Sequence, residues 1–244
     1  MKKAVIFDLD GTLLPMNEDE FVKAYFGLLC KKAMPFGYDK QQFINTIMKG
    51  TVLMRNNNGD ATNEEVFWKY FAQTFGEDKL KDKAIFDEFY LNEFAQTKIA
   101  CGFNPMSKGI VDFCRQNFKY VILASNPVFP KEAMQWRAKF AGVNLENFDY
   151  ISDYSNSTCC KPNPNFLQDI LNKFNLLPEE VIYIGNNEIE DGAMAKALGV
   201  EVLMVGDQII VDEQGKYSFT HIPFADVQNK LEEFLKESEG EENE

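Results

Sequence analysis

Two aspartates stand two residues apart, Asp8 and Asp10, just after a short apolar run at 4–7 and just before Gly11 and Thr12. In an extended segment, positions two apart face the same way, so both carboxylates can address one site. Close carboxylates repel, and one of them tends to hold a proton unless a cation intervenes. The pairing therefore suits a nucleophile beside a general acid/base, with a metal ion neutralising part of the charge. A plain turn rich in Asp and Gly has the same composition. An EF-hand loop does not fit, because its later acidic positions and closing Glu are missing.

Three further polar stations follow. Ser125-Asn126-Pro127 offers a hydroxyl and backbone N–H groups suited to an oxyanion. Lys161, in a Cys-Lys-Pro-Asn-Pro stretch, can neutralise a phosphoryl oxygen as a point charge. The segment 185–191, Gly-Asn-Asn-Glu-Ile-Glu-Asp, carries carboxylates able to complete a magnesium site, or simply to favour a helix N-terminus. Taken singly, each of these three is an ordinary loop or cap. The argument rests on all four stations occurring in this order, each at the expected end of a strand.

The elements that must position them are legible as patterns. Residues 4–7 read as a buried strand. From 15 to 100 the pattern is helical throughout. Asn17 with Glu20, Asp39 with Gln42, and Thr62 with Glu65 open three helices, and a fourth carries apolar residues from Ile85 to Phe94. Arg55 and the Asn- and Gly-rich run after it are placed in an inter-helix turn. Beyond residue 101, strands at 120–124, 148–151, 181–184 and 200–205 alternate with helices at 105 onward, 130–141, 164–174 and 189–198. Such alternation predicts a parallel sheet with helices on both faces, whose ligands bind beyond the carboxyl ends of the strands. A small hairpin is expected at 209–219 and a last helix at 226–236. The acidic segment 237–244 is read as a disordered tail.

Composition narrows the field. The net charge of −13 leaves no basic stripe for nucleic acid. No apolar run is long enough to span a bilayer, and Asp8 and Asp10 interrupt the first one before it could serve as a signal peptide. A cytoplasmic protein with no membrane partner is expected. The five Cys fit reduced thiols, since none has zinc-ligand spacing. The single His221 is read as incidental.

On these stations, and along about residues 1–235, the chain resembles the haloacid dehalogenase-like hydrolase superfamily. Asp8-Leu9-Asp10-Gly11-Thr12 looks like its first motif, Ser125 its second, Lys161 its third and 185–191 its fourth. The resemblance implies an α/β, Rossmann-like doubly wound core over 1–14 and 101–236, with 15–100 as an inserted all-helical C1 cap. It implies Asp8 as nucleophile and Asp10 as acid/base. Thr12, Ser125, Asn126 and Lys161 would hold the phosphate. Mg2+ would lie on Asp8, the Asp10 carbonyl, Asp191 and Asn186. The implied activity is phosphatase action on a small phosphorylated metabolite. A phosphomutase on the same scaffold is the alternative, as is a weakly active binding protein, because Asn186 stands where the family usually has Asp. A dehalogenase ranks low, since members with that chemistry lack the second aspartate.

Overall fold

The computed structural model describes residues 1–241. Its sheet has six strands in the order β3-β2-β1-β4-β5-β6, and every adjacent pair is parallel. The strands are β1 (Ala4–Phe7), β2 (Tyr120–Leu123), β3 (Tyr150–Ile151), β4 (Val181–Gly185), β5 (Glu201–Val205) and β6 (His221–Ile222). The central pair, β1 and β4, is buried along its whole length, which is why both read as unbroken apolar runs rather than alternating ones. The two edge strands are two residues each, a length that leaves little unpaired backbone for another chain to extend.

Helices cover both faces. One apolar cluster packs α5 (Met106–Asn117), α6 (Lys131–Phe140) and α9 (Val227–Glu241) against Val5, Phe7, Val121 and Leu123. Alternation along the strands sends Ala4, Ile6, Ile122 and Tyr183 to the opposite face, against α7 (Pro164–Phe174) and α8 (Met194–Ala197). No helix among the described residues is long and apolar enough to cross a membrane.

Between β1 and β2 the chain forms α1 (Glu18–Ala33), α2 (Lys40–Arg55), α3 (Asn63–Phe75) and α4 (Lys83–Leu91), with 3-10 turns between α1 and α2, between α3 and α4, and after α4. The expected caps are present: Asn17 accepts from Glu20 N at 3.1 Å, Asp39 from Gln42 N at 2.8 Å, and Thr62 with Glu65 closes a capping box. These helices have their own core of Phe21, Phe43, Phe71, Phe89 and Phe94, which extends to Ala133 and Tyr154 of the sheet portion. The chain enters and leaves this insert side by side, where Met16 bridges to Cys101 and Gly102 N donates to Pro15 O at 2.7 Å.

Several expectations need correction. Residues 209–219 form no hairpin. They make an irregular loop held to the 186–188 turn by Ile210 N donating to Asn186 O at 2.8 Å, and the chain then supplies β6 as a sixth parallel strand. Two-residue pairing at a sheet edge leaves too short a pattern to see in sequence. The helix expected at 189–198 begins instead with a π-helical turn at Glu188–Ala193. Arg55 belongs to the last turn of α2, not to the loop after it. The final helix backbone continues to Glu241, past the expected end at Lys236, and the rest of the acidic segment, 242–244, lies outside the described residues. All five cysteines are unpaired.

The close crossing of α2 and α3 generates a prediction. A Cβ on Gly50 would stand 2.7 Å from the ring of Phe67, and both residues are buried. Gly50→Ala should therefore overpack the insert and cost about 1–3 kcal/mol, despite the better helix propensity of Ala. Chemical denaturation checks this; a variant more stable than the parent would show that α2 and α3 stand further apart.

Candidate active site

The carboxyl ends of β1, β2 and β4 meet at one point, and Asp8 stands there, 7% exposed. Its backbone is pinned by Asp8 N donating to Ile184 O at 2.8 Å. Gly11 turns the chain away with φ +77°, and any Cβ there would collide with the side chain of Asn186. This fixes the loop after β1 against the loop after β4.

Behind Asp8 lies a buried charge relay. Lys161 is 1% exposed, and its Nζ donates at 2.7 Å to Asp8 Oδ1 and at 2.7 Å to Asp191 Oδ1. Burial opposes the ammonium charge, but the two carboxylates outweigh it and hold Lys161 firmly protonated. Asp191 in turn has all its acceptor capacity used. Tyr183 OH donates to Oδ1 at 3.2 Å, and Asn186 N and Asn187 N each donate to Oδ2 at 3.1 Å. The π-helical turn brings this about: Gly192 N reaches back to Asn187 O at 3.1 Å, and the wider turn carries Asp191 inward, where Gly185 has no side chain to obstruct it.

Burial raises the Asp8 pKa to about 6; Lys161 works against that and Asp191 adds to it. Thr12 Oγ1 lies 3.2 Å from Asp8 Oδ2 and 3.3 Å from Asn186 Oδ1, so its hydroxyl sits between those two oxygens. Asn186 Nδ2 donates to Gln208 O at 2.7 Å, closing the 206–210 loop over the turn.

Asp10 points from the same turn toward the insert side. Its Oδ2 is ion-paired with Arg137 of α6, and its Oδ1 is buried without a hydrogen-bond partner. Arg137 is 3% exposed, with its guanidinium 5.2 Å from the ring centre of Phe129 and 5.8 Å from that of Phe21. Burial lowers its pKa to about 10, with Asp8 opposing that shift, so it remains a cation at neutral pH. Ser125 and Asn126, just past the end of β2 beside β1, line the same cavity as Asp8. Asn126 Nδ2 is spent on Glu190 Oε2 at 3.2 Å, and Glu190 is also ion-paired with Arg55 of the insert. The cavity is lined by Asp8, Asp10, Ser125, Asn126, Asn186 and Asp191; Thr12 and Lys161 stand behind that wall.

The sequence-predicted residues thus converge at the carboxyl ends of the middle strands. Two functional groups escaped sequence reasoning. Arg137 sits on a helix face like any solvated arginine, and only the fold shows that this face meets Asp10. Tyr183 lies inside a continuous apolar strand, where its hydroxyl gives no pattern. His221, read as incidental, bonds Glu188 Oε1 at 2.8 Å and helps brace the turn.

Among the described residues, no group of three or more His, Cys, Asp or Glu side chains is placed to hold a metal ion. Magnesium asks less than that, since it commonly takes one or two carboxylates and fills its shell with water and substrate phosphate. Asp8 and Asn186, both on the cavity lining, carry hard side-chain oxygens of the kind it takes. Asp191 suits it less, because four protein donors already occupy its oxygens.

A parallel α/β sheet with an acidic centre at the carboxyl ends of its middle strands defines the class. The model of the haloacid dehalogenase-like hydrolase family matches residues 2–199, and the chain belongs to that family. No curated protein matches the sequence at a significant level. The fold is similar to a HAD phosphatase from Thermococcus onnurineus, with TM-score 0.58 and 18% identity over 94% of this chain and 97% of that one. It is similar to a 2-haloacid dehalogenase from Pseudomonas syringae pv. Tomato, with TM-score 0.62 and 16% identity over 96% and 100%. A predicted phosphoglycolate phosphatase from Haemophilus somnus gives 0.57 and 17% over 94% and 98%. At these identities the likeness speaks for the fold.

The raised pKa of Asp8 sets a pH test. Between its ordinary value of 3.8 and about 6, the folded protein binds more protons than the unfolded chain, so this group lowers stability as pH rises through that window. Asp8→Asn abolishes the titration. Measured without metal, the thermal midpoint of the variant relative to the parent should climb from pH 4 to 6 and then level off. Parallel curves for the two proteins would show that Asp8 does not titrate there.

Proposed function

We propose that this chain is a magnesium-dependent phosphomonoesterase that works through an aspartyl-phosphate on Asp8. The observation carrying this is the division of labour between two carboxylates on one cavity. Asp8 is held by a buried ammonium, while Asp10 keeps one buried oxygen free of any partner.

In the first step an Asp8 oxygen attacks phosphorus and the bond to the ester oxygen breaks. Asp10, protonated at Oδ1, gives its proton to the departing alkoxide. In the second step Asp10 takes a proton from water, whose oxygen attacks the acyl-phosphate, releasing inorganic phosphate and restoring Asp8. A halide leaves as an anion and needs no such proton, so a retained Asp10 favours ester cleavage over dehalogenation. Arg137 fixes Asp10 through Oδ2 and so aims Oδ1. Lys161 balances the charge at Asp8, and Ser125 supports the phosphoryl oxygens from the end of β2. Magnesium would be held by Asp8, Asn186 and the Asp10 carbonyl. When bound it supplies charge neutralisation at the phosphoryl group. We read Asp191 as the anchor of Lys161 rather than as a metal ligand, and Thr12 as a brace for Asp8 rather than a phosphate contact.

The insert at 15–100 would serve as the cap over this site, turning on the paired segments near Pro15 and Gly102. The contact between Arg55 and Glu190 joins it to the core, and a half-exposed ion pair of this kind is weak enough to open and close.

Three outcomes are expected. Asp8→Asn should release no phosphate and take up no label from a 32P-labelled ester; near-parental turnover would refute the nucleophile. Asp10→Asn should slow both steps by about 10²–10⁴-fold, with label still on Asp8. Asn186→Asp sets a carboxylate oxygen against Gln208 O, so its thermal midpoint should fall in EDTA and recover with Mg2+ by more than the parent gains. Equal metal responses in the two proteins would remove Asn186 from the metal site.

A further inference from the structure

The cavity beside Asp8 extends away from it into the insert and has a volume of about 610 Å³, far more than a phosphoryl group fills. Beyond the carboxylates its wall is made of rings: Phe21, Tyr25, Trp68, Phe86, Tyr90 and Phe129. Met48 and Val52, a turn apart on α2 and roughly half exposed, extend the apolar surface.

Few polar groups of this region are free: away from Asp8 and Asp10, Trp68 Nε1 is buried without a hydrogen-bond partner. The hydroxyls of Tyr25 and Tyr90 bond each other at 2.7 Å. Both guanidinium groups on the wall are committed, Arg55 to Glu190 and Arg137 to Asp10. No lysine lines the cavity, and the remaining charged groups away from Asp8 are the carboxylates of Glu18 and Asp87.

We infer that the esterified group of the substrate is an aromatic or similarly bulky apolar alcohol carrying no second anion. This rests on the phosphomonoesterase reading of the same site and narrows its substrate class. A ring system buries its faces against this wall and recovers the hydrophobic and ring-stacking contacts that the cavity offers. A second carboxylate or phosphate would lose its hydration among rings with no counter-ion, and would face two acids besides. A sugar would bury little apolar face against these rings, and Trp68 Nε1 with the two acids offers fewer partners than its hydroxyls require.

The test compares three primary alkyl phosphates, so that leaving groups are alike: 2-naphthylmethyl phosphate, glucose 6-phosphate and phosphoglycolate. With Mg2+, kcat/KM for the naphthylmethyl ester should exceed the other two by at least about tenfold, the scale of apolar pocket discrimination. Equal or reversed rates overturn the inference and leave the phosphatase reading standing. Binding is measured separately by calorimetry with two stable phosphonates, naphthylmethylphosphonate and phosphonoacetate. Preference for the first, with no phosphate released from any ester, would uphold the inferred cavity chemistry and sink the phosphatase reading. Equal binding overturns the inference whatever the turnover. Met48→Lys, on an exposed part of the wall, adds a free cation and should shift preference toward phosphonoacetate; an unchanged ratio would count against the inference.

Discussion

Lys161 is the group on which the site depends. An ammonium 1% exposed is tolerable only if it is paired, and it is paired twice, to Asp8 and to Asp191. Leaving such a buried charge without one partner typically costs about 3–5 kcal/mol. The requirement propagates outward. Asp191 must face inward, which needs the wide turn at Glu188–Ala193, the empty place at Gly185, and two backbone N–H groups to hold its second oxygen. The position of Asn186, and through it the loop at 206–210, follows from the same constraint.

Charge is arranged differently on the two sides of the first turn. On the Asp8 side, the balance of burial and one ammonium leaves a carboxylate with a pKa near 6, neither locked as an anion nor neutral. On the Asp10 side, an arginine packed against Phe21 and Phe129 takes one oxygen and leaves the other bare. Two carboxylates in adjacent extended positions thereby acquire unlike surroundings, which is what a nucleophile and a proton carrier require of the same short segment.

The insert is continuous with the rest of the molecule. Its helices and the sheet portion share one aromatic core, with Tyr154 and Ala133 packed among insert residues. The buried Asn63 at the start of α3 donates to Pro127 O at 3.0 Å, close to Ser125. The cavity is therefore composite: Asp8, Asp10, Asn186 and Asp191 come from the strand ends, and most of its rings from the helices between β1 and β2. Neither part alone encloses it.

What the sequence by itself determined was whatever depends on near neighbours in the chain. Apolar runs marked β1, β2 and β4, caps at Asn17, Asp39 and Thr62 marked helix starts, and Asp8 with Asp10 marked the centre, because each signal is written within a few residues. The family resemblance then ordered Ser125, Lys161 and 185–191 around it. What only the tertiary structure decided was how distant groups share one space. That Arg137 meets Asp10, that Asp191 is consumed by Lys161, and that Arg55 reaches Glu190 are contacts between residues 30 to 135 positions apart. They are settled by packing and by the need to pair buried charge, and neither leaves a trace in local spacing.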